Sequence, residues 1–172
     1  MALRNIVKKE DEEPRLRKHS REVTAFDDRL HILLDDMAET LMESNGVGLA
    51  APQVGVLRRA VLVLETNVDE ENGEEPYIIE LINPEIVFAE GEQYGAEGCL
   101  SVPGIYGDVS RPEKVRVHAN DREGNVFEVE GEGLTARAMC HEIDHLEGKL
   151  FLDLADRVYT AEELEEMEQE ED

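Results

Sequence analysis

Two histidines separated by three residues, His141 and His145, enclose a glutamate, Glu142, that directly follows the first of them. Residues four apart lie on one face of an α-helix, so the two imidazoles can bind the same metal ion. Glu142 then lies beside the ion, where its carboxylate can accept a proton from a water that the metal activates. The motif predicts a metal-dependent hydrolytic site carried by a helix.

A catalytic site of this type needs a third protein ligand and an open position for water. One class of metalloproteases adds a later histidine, but Phe151 stands at that position. Another class uses a glutamate on a later helix. Glu165 has a suitable spacing, although the tail around it is so rich in glutamate that a match carries little weight. The third candidate is Cys99, because a thiolate is a strong ligand for zinc or ferrous iron. A zinc endopeptidase that uses Glu165 is therefore the alternative function.

The segment from Gly46 to Gln53 alternates small residues, which allows another backbone to approach closely. That backbone could belong to a peptide bound as an added strand, with Gln53 donating an amide N–H to a developing oxyanion. The same residues also suit a tight helix-to-strand turn. On this segment alone both interpretations stay open.

The elements that must position these residues follow an α+β pattern, in which a block of strands lies between two helices. Spacings of three and four predict a helix from about Thr24 to Ser44, with Thr24 and Asp27 forming a capping box. The second helix, from about Leu134 to Leu146, carries the histidine motif. The predicted strands are residues 60–64, 77–82 and 86–88, followed by a hairpin of 115–119 and 126–130. We expect mostly antiparallel sheets packed around the second helix. The prediction is one domain over residues 1–172, with an acidic tail from about residue 157 that becomes helical from Thr160.

The composition limits the classes of function. The chain has 172 residues, 41% of them hydrophobic, and a formal net charge of −25, which disfavours direct binding to nucleic acid or anionic lipid. Its two cysteines, Cys99 and Cys140, suit a reducing compartment and a metal or catalytic role. The first residues do not resemble a targeting peptide, and no stretch approaches 18 consecutive apolar residues. We therefore expect a cytoplasmic protein without a membrane partner.

Three segments, 46–53, 97–101 and 141–148, closely resemble in this order the three signature motifs of the peptide deformylases. The resemblance extends from about Pro14 to Asp153. It implies an α+β fold and a bacterial, cytoplasmic hydrolase that removes the N-formyl group from N-formylmethionyl nascent peptides and releases formate. It also implies one divalent ion, with Fe²⁺ expected and Zn²⁺, Ni²⁺ or Co²⁺ as alternatives. A transient encounter with the ribosome exit region is a further expectation.

The resemblance assigns roles to individual residues. Its implied metal ligands are Cys99, His141 and His145, with Glu142 as the general acid and base. Gln53 and the backbone N–H of Leu100 would stabilise the oxyanion. The implied substrate-binding residues are Val47, Gly48, Glu97 and Gly98 along the peptide, and Leu134 and Ala138 in the methionine pocket.

Two positions depart from the pattern of the family. Cys140 stands where many members have glutamine, and on a helix it points about 100° away from His141, so we expect it not to bind metal. Arg137 stands where some members carry an aliphatic residue. We expect its stem to pack near the methionine pocket while the guanidinium reaches water.

Overall fold

The structure is a computed structural model that describes residues 2–171. Within this range the helices are α1 (Lys9–Leu16), α2 (Asp28–Ser44), α3 (Leu134–Leu146) and α4 (Ala161–Glu171). The strands are β1 (Gly48–Ala50), β2 (Ala60–Glu65), β3 (Tyr77–Glu90), β4 (Gln93–Cys99), β5 (Val102–Arg111), β6 (Lys114–Asn120), β7 (Val126–Glu132) and β8 (Arg157–Thr160). Short 3₁₀ turns lie at Ala51–Val54, Glu70–Asn72 and Phe151–Asp153. None of the helices in the described range is long and apolar enough to cross a bilayer.

The strands form two sheets. The larger sheet has the order β1-β2-β3-β6-β7 and the smaller one the order β4-β5-β8. Every pair of neighbouring strands in these two sheets is antiparallel. The expected α+β class with antiparallel sheets around the motif-bearing helix is confirmed.

Strand β2 runs through the middle of the core. Ala60 and Leu62 pack with α2, whereas Val61 and Val63 pack on the opposite face with α3. Successive side chains of a strand point to opposite faces, and both faces of β2 are covered by a helix. This is why the sequence there is an unbroken apolar run, and why α3 has a rigid support.

Two predicted boundaries were wrong. Helix α2 begins after Asp27, not at Thr24, because the backbone of Asp27 is extended and its carboxylate accepts the Leu30 N–H at 3.1 Å. The strands predicted on either side of Asn83 are one strand with a bulge there. Asn83 takes a φ of 52°, and its side chain bonds both the N–H and the carbonyl of Val23. Asparagine tolerates this left-handed conformation, so the chain continues as a strand.

Five elements escaped the sequence analysis, namely α1, β1, β4, β5 and β8. Strand β4 has the sequence QYGAEGC, whose two glycines carry no strand signal. The segment expected as an acidic tail from about residue 157 begins instead with β8, which pairs with β5 and buries Tyr159. The helix expected after Thr160 is present as α4.

Candidate metal and catalytic site

Helix α3 brings the two motif histidines together inside the protein. His141 and His145 lie one turn apart and are 6% and 1% exposed. Their Nε2 atoms are 3.2 Å from each other. Two imidazole nitrogens this close together can bind one common ion.

The third donor comes from the smaller sheet. Cys99 ends β4, immediately before the turn Leu100–Ser101 that leads into β5. Its Sγ lies 3.3 Å from His145 Nε2, and the ligand atoms of Cys99, His141 and His145 all fall within 4.8 Å of one another. Across residues 2–171 this is the cluster of three such donors that could hold a metal ion, and Glu165 is not part of it.

The donor set suits a divalent transition metal. One thiolate and two imidazoles are ligands that zinc and ferrous iron accept. The Nδ1 atom of His141 lies 2.7 Å from the Glu97 carboxylate, which leaves its Nε2 free to bind metal. Cys140, also on α3, packs in the core with residues of the larger sheet, and the donor cluster found among residues 2–171 does not include it.

Glu97 lies at the centre of a buried charge network behind His141. Its two oxygens accept bonds from Arg111 at 2.7 and 3.1 Å and from Arg137 at 2.9 Å. Burial opposes ionisation of Glu97, but the bonds from His141 and Arg111 hold its pKa at about 2. Glu97 is therefore a carboxylate that fixes the orientation of the His141 ring.

The arginines of this network include one wrong expectation and one residue that was missed. The Arg137 guanidinium does not reach water: Arg137 is 7% exposed, and the group bonds Glu97 and the Val109 carbonyl. A carboxylate held inside the protein requires such a partner. Arg111 was not recognised, although it also bonds Asp144 of the motif at 2.7 Å. It lies on β5, outside every recognisable motif.

Glu142 has the opposite environment. It is 4% exposed, and its Oε1 atom has no hydrogen-bond partner among residues 2–171. Burial raises its pKa to about 7. Gly48 lies directly against it, because a Cβ at that position would stand 2.5 Å from Glu142 Oε2. At Gly48 the close approach is made by a side chain, the carboxylate of Glu142, and not by the second backbone considered in the sequence analysis.

The orientation of the Gln53 amide is fixed by its neighbours. The Ala50 N–H donates to Oε1 at 2.9 Å, so that Nε2 faces Ser101 Oγ at 3.2 Å and Cys99 Sγ at 3.5 Å. Gln53 is 1% exposed. A donor held this rigidly can stabilise negative charge without reorganising during a reaction.

A cavity of about 400 Å³ opens beside the candidate metal ligands. Of the residues to which the family resemblance gave a role, all line it except His145, which is buried. The lining predicted in advance comprises Val47, Gly48, Gln53, Glu97, Gly98, Cys99, Leu100, Leu134, Ala138, His141 and Glu142. Tyr106 also lines this cavity and packs against Gly98, where a Cβ would lie 2.7 Å from its ring.

The sequence and the fold both have known relatives. Residues 3–161 match the family described as polypeptide deformylase. The peptide deformylase of Caldanaerobacter subterraneus is 54% identical, covering 96% of this chain and 97% of that one. Peptide deformylase 1 of Bacillus subtilis is 50% identical, over 85% of this chain and 87% of its own. The chain belongs to the peptide deformylase family.

Solved structures of the family agree with this assignment. The crystal structure of the Legionella pneumophila peptide deformylase has a TM-score of 0.79 and 47% identity, covering 90% of this chain and 87% of that one. The structure from Thermotoga maritima also has a TM-score of 0.79, with 36% identity over 91% of this chain and 100% of its own. The chain is accordingly a metal-dependent hydrolase that acts on N-formylmethionyl peptides, and the endopeptidase alternative is not favoured.

Proposed function

We propose that Cys99, His141 and His145 hold a single divalent ion and that Glu142 transfers protons during deformylation. The observation that carries this proposal is the convergence of the three ligand atoms within 4.8 Å, with the Glu142 carboxylate buried at the same cavity. When bound, the ion supplies Lewis-acid chemistry, polarising the formyl oxygen and lowering the pKa of water.

The side chains around the ion perform the remaining steps. Glu142 accepts a proton from the attacking water, through the oxygen that has no other partner. As the formyl carbon becomes tetrahedral, its oxygen gains negative charge and accepts bonds from Gln53 Nε2 and the Leu100 N–H. Glu142 then gives the proton to the leaving amine, and formate departs. A pKa of about 7 suits a group that both accepts and returns a proton near neutral pH.

The substrate peptide is proposed to lie along the cavity between two strands. Val47 and Gly48, at the start of β1, and Glu97 and Gly98, in β4, line this cavity. The carboxylate of Glu97 is occupied by arginines and His141, so its backbone is the part available to a peptide. Leu134 and Ala138 project from the first turns of α3 into the same cavity, where they would contact the methionine side chain.

The decisive experiment compares the two cysteines. In the cobalt-substituted protein, a Cys99 ligand should give a sulfur-to-metal charge-transfer band in the near ultraviolet. Cys99→Ser should remove the band and most formate release, whereas Cys140→Ser should preserve both, because Cys140 packs in the core. An unchanged cobalt spectrum and full activity in Cys99→Ser would contradict the ligand assignment.

We further propose Fe²⁺ as the native ion, with Zn²⁺, Ni²⁺ or Co²⁺ as substitutes. A cysteine ligand beside ferrous iron makes the site sensitive to oxidation. Hydrogen peroxide should inactivate the ferrous enzyme faster than the nickel enzyme, and equal rates of inactivation would argue against iron-dependent oxidation.

We place the enzyme in the bacterial cytoplasm, where nascent N-formylmethionyl chains emerge, and we propose that residues 1–172 act as one catalytic domain. Helix α4 ends the described chain and has acidic residues in its first turn and no basic residue in its last. Such a helix is repelled by phosphate groups, so any encounter with the ribosome exit region would be transient and would not involve RNA binding by α4.

A further inference from the structure

The N-terminal segment, residues 2–9, extends to the first residue of α1. It is first attached to α2, where the Ala2 N–H donates to Asp36 at 2.7 Å and the Arg4 N–H donates to Thr40 at 2.9 Å. The Arg4 guanidinium also bonds Asp36 at 2.9 Å. This end of the segment is therefore anchored to α2.

The other end of the segment bonds the backbone of two residues near the cavity. The Val7 N–H donates to the Gln53 carbonyl at 2.7 Å, and the Lys9 N–H donates to the Ser101 carbonyl at 2.8 Å. Val7 is 8% exposed, and Ser101 is fully buried. These are short, buried backbone bonds, which are costly to leave unmade.

The two acceptors belong to different parts of the fold. Gln53 lies in the 3₁₀ turn that follows β1 of the larger sheet, and Ser101 lies in the β4–β5 turn of the smaller sheet. Ser101 comes directly after Leu100. The segment thus ties together the two turns that carry the proposed oxyanion donors, the Gln53 amide and the Leu100 N–H.

We propose that the N-terminal segment is a positioning element for the oxyanion site, acting through the backbone N–H groups of Val7 and Lys9. This inference rests on the proposed roles of Gln53 and Leu100. A donor stabilises an oxyanion only if it lies close to the position that the charged oxygen will occupy. A misplacement of a donor by about 1 Å can lower the rate by up to about 10²-fold. The two turns come from separate sheets, so a segment that bonds to both is needed to hold the donors in place.

Lys9→Pro tests the backbone bond from Lys9 to Ser101 and changes little else. Lys9 is the first residue of α1, a position that proline accepts, and Lys8 before it is already extended, with φ −109° and ψ 143°. The substitution therefore removes the N–H that bonds Ser101 while keeping the local backbone. Lys9→Ala is the matched control, because it loses the same side chain and keeps the N–H.

We expect kcat for a formyl-Met peptide to be about tenfold lower in Lys9→Pro than in Lys9→Ala. Metal content and the Kd for the product peptide Met-Ala-Ser should be equal in the two variants, since the product has no formyl oxygen. A general structural role would change product binding or metal content as well. Equal kcat in the two folded variants would overturn the proposal.

A comparison of Val7→Pro with Val7→Ala tests the second backbone bond, from the Val7 N–H to the Gln53 carbonyl. This comparison decides the proposal if Lys9→Pro does not fold. Val7→Ala should lower the melting temperature through lost packing but keep kcat within about twofold, whereas Val7→Pro should lower kcat. If kcat instead falls equally in both, the segment contributes stability alone.

Two further measurements distinguish a failure of the positioning proposal from a failure of the proposed roles of Gln53 and Leu100. If the wild-type protein releases no formate, or if Gln53→Ala leaves kcat unchanged, the proposed roles themselves fail. If the wild type releases formate and Gln53→Ala lowers kcat, the Lys9 and Val7 variants test only the positioning by the N-terminal segment.

Discussion

Two buried glutamates lie in neighbouring regions of the same site, and their environments are opposite. Glu97, in β4, is held by two arginines and His141, and its pKa is about 2. Glu142, on α3, has an oxygen without a hydrogen-bond partner among residues 2–171 and a pKa of about 7. Burial is nearly the same for both, at 6% and 4% exposed.

Burial raises the pKa of both carboxyl groups, and only at Glu97 do hydrogen bonds from cationic partners outweigh it. A glutamate with two arginines stays ionised and can only orient its neighbour. A glutamate without such partners exchanges a proton near neutral pH, as acid–base catalysis requires. The fold produces both by directing Arg111 and Arg137 to one carboxylate and leaving the other facing the cavity.

The largest expected effect is on catalysis by Glu142. Glu142→Gln should retain the metal, because this residue is not a ligand, while kcat falls by about 10²–10⁴-fold. Formate release and metal analysis measure the two quantities. Glu147→Gln, at the end of the same helix, is the control and should stay within about twofold. Near-normal turnover in Glu142→Gln would remove the distinction between the two glutamates.

Glu97→Gln should act on the metal instead. The neutral amide holds His141 less firmly, so metal affinity should fall by about 10–100-fold, while kcat of the fully loaded enzyme falls less than in Glu142→Gln. Competition with a chelator measures the affinity. The matched control is Glu130→Gln, an exposed glutamate that bonds Arg116 on the surface. Unchanged affinity in Glu97→Gln would mean that the network does not support the ligand.

In the chelator-treated protein, ionised Glu97 should raise the free energy of unfolding and ionised Glu142 should lower it. The folded pKa of Glu97 is lowered, so its contribution is present above about pH 4.5 and is lost as the pH falls toward 2. The folded pKa of Glu142 is raised, so its ionisation costs stability as the pH rises from about 4.5 through 7. At pH 8 Glu97→Gln should be less stable than the parent and Glu142→Gln more stable. Urea unfolding at pH 8 measures both changes, and shifts of the same sign would refute this comparison.

The exposed carboxylates of α4 should have the smallest effect. They lie outside the network and have no basic neighbour in the last turn of their helix. A chain that ends at Thr160 keeps β8 intact and should deformylate free peptides at a rate within about twofold of the full chain. Loss of bound metal in this truncation would instead support Glu165 as a ligand.

The sequence by itself determined the α3 helix and the chemistry of its motif. A spacing of four residues places His141 and His145 on one face in any helix, and the apolar pattern made the helix predictable from Leu134 to Leu146. The resemblance to the family also assigned Gln53, Cys99 and Glu97 to one site, and all three line the same cavity. These assignments depend on local periodicity and on recognisable segments, which the chain carries without reference to its fold.

Only the tertiary structure decided how the distant residues meet. Arg111 and Arg137 lie on different elements, and nothing in their spacing shows that both bond Glu97. The same holds for Val7 and Lys9, whose backbone N–H groups would be present with almost any side chain. Strand β4 is formed from glycine-containing sequence because β5 supplies its backbone hydrogen bonds, a pairing that local propensity does not encode. Long-range pairing and the burial that follows from it therefore determined the pKa values of the two glutamates, which the sequence left undefined.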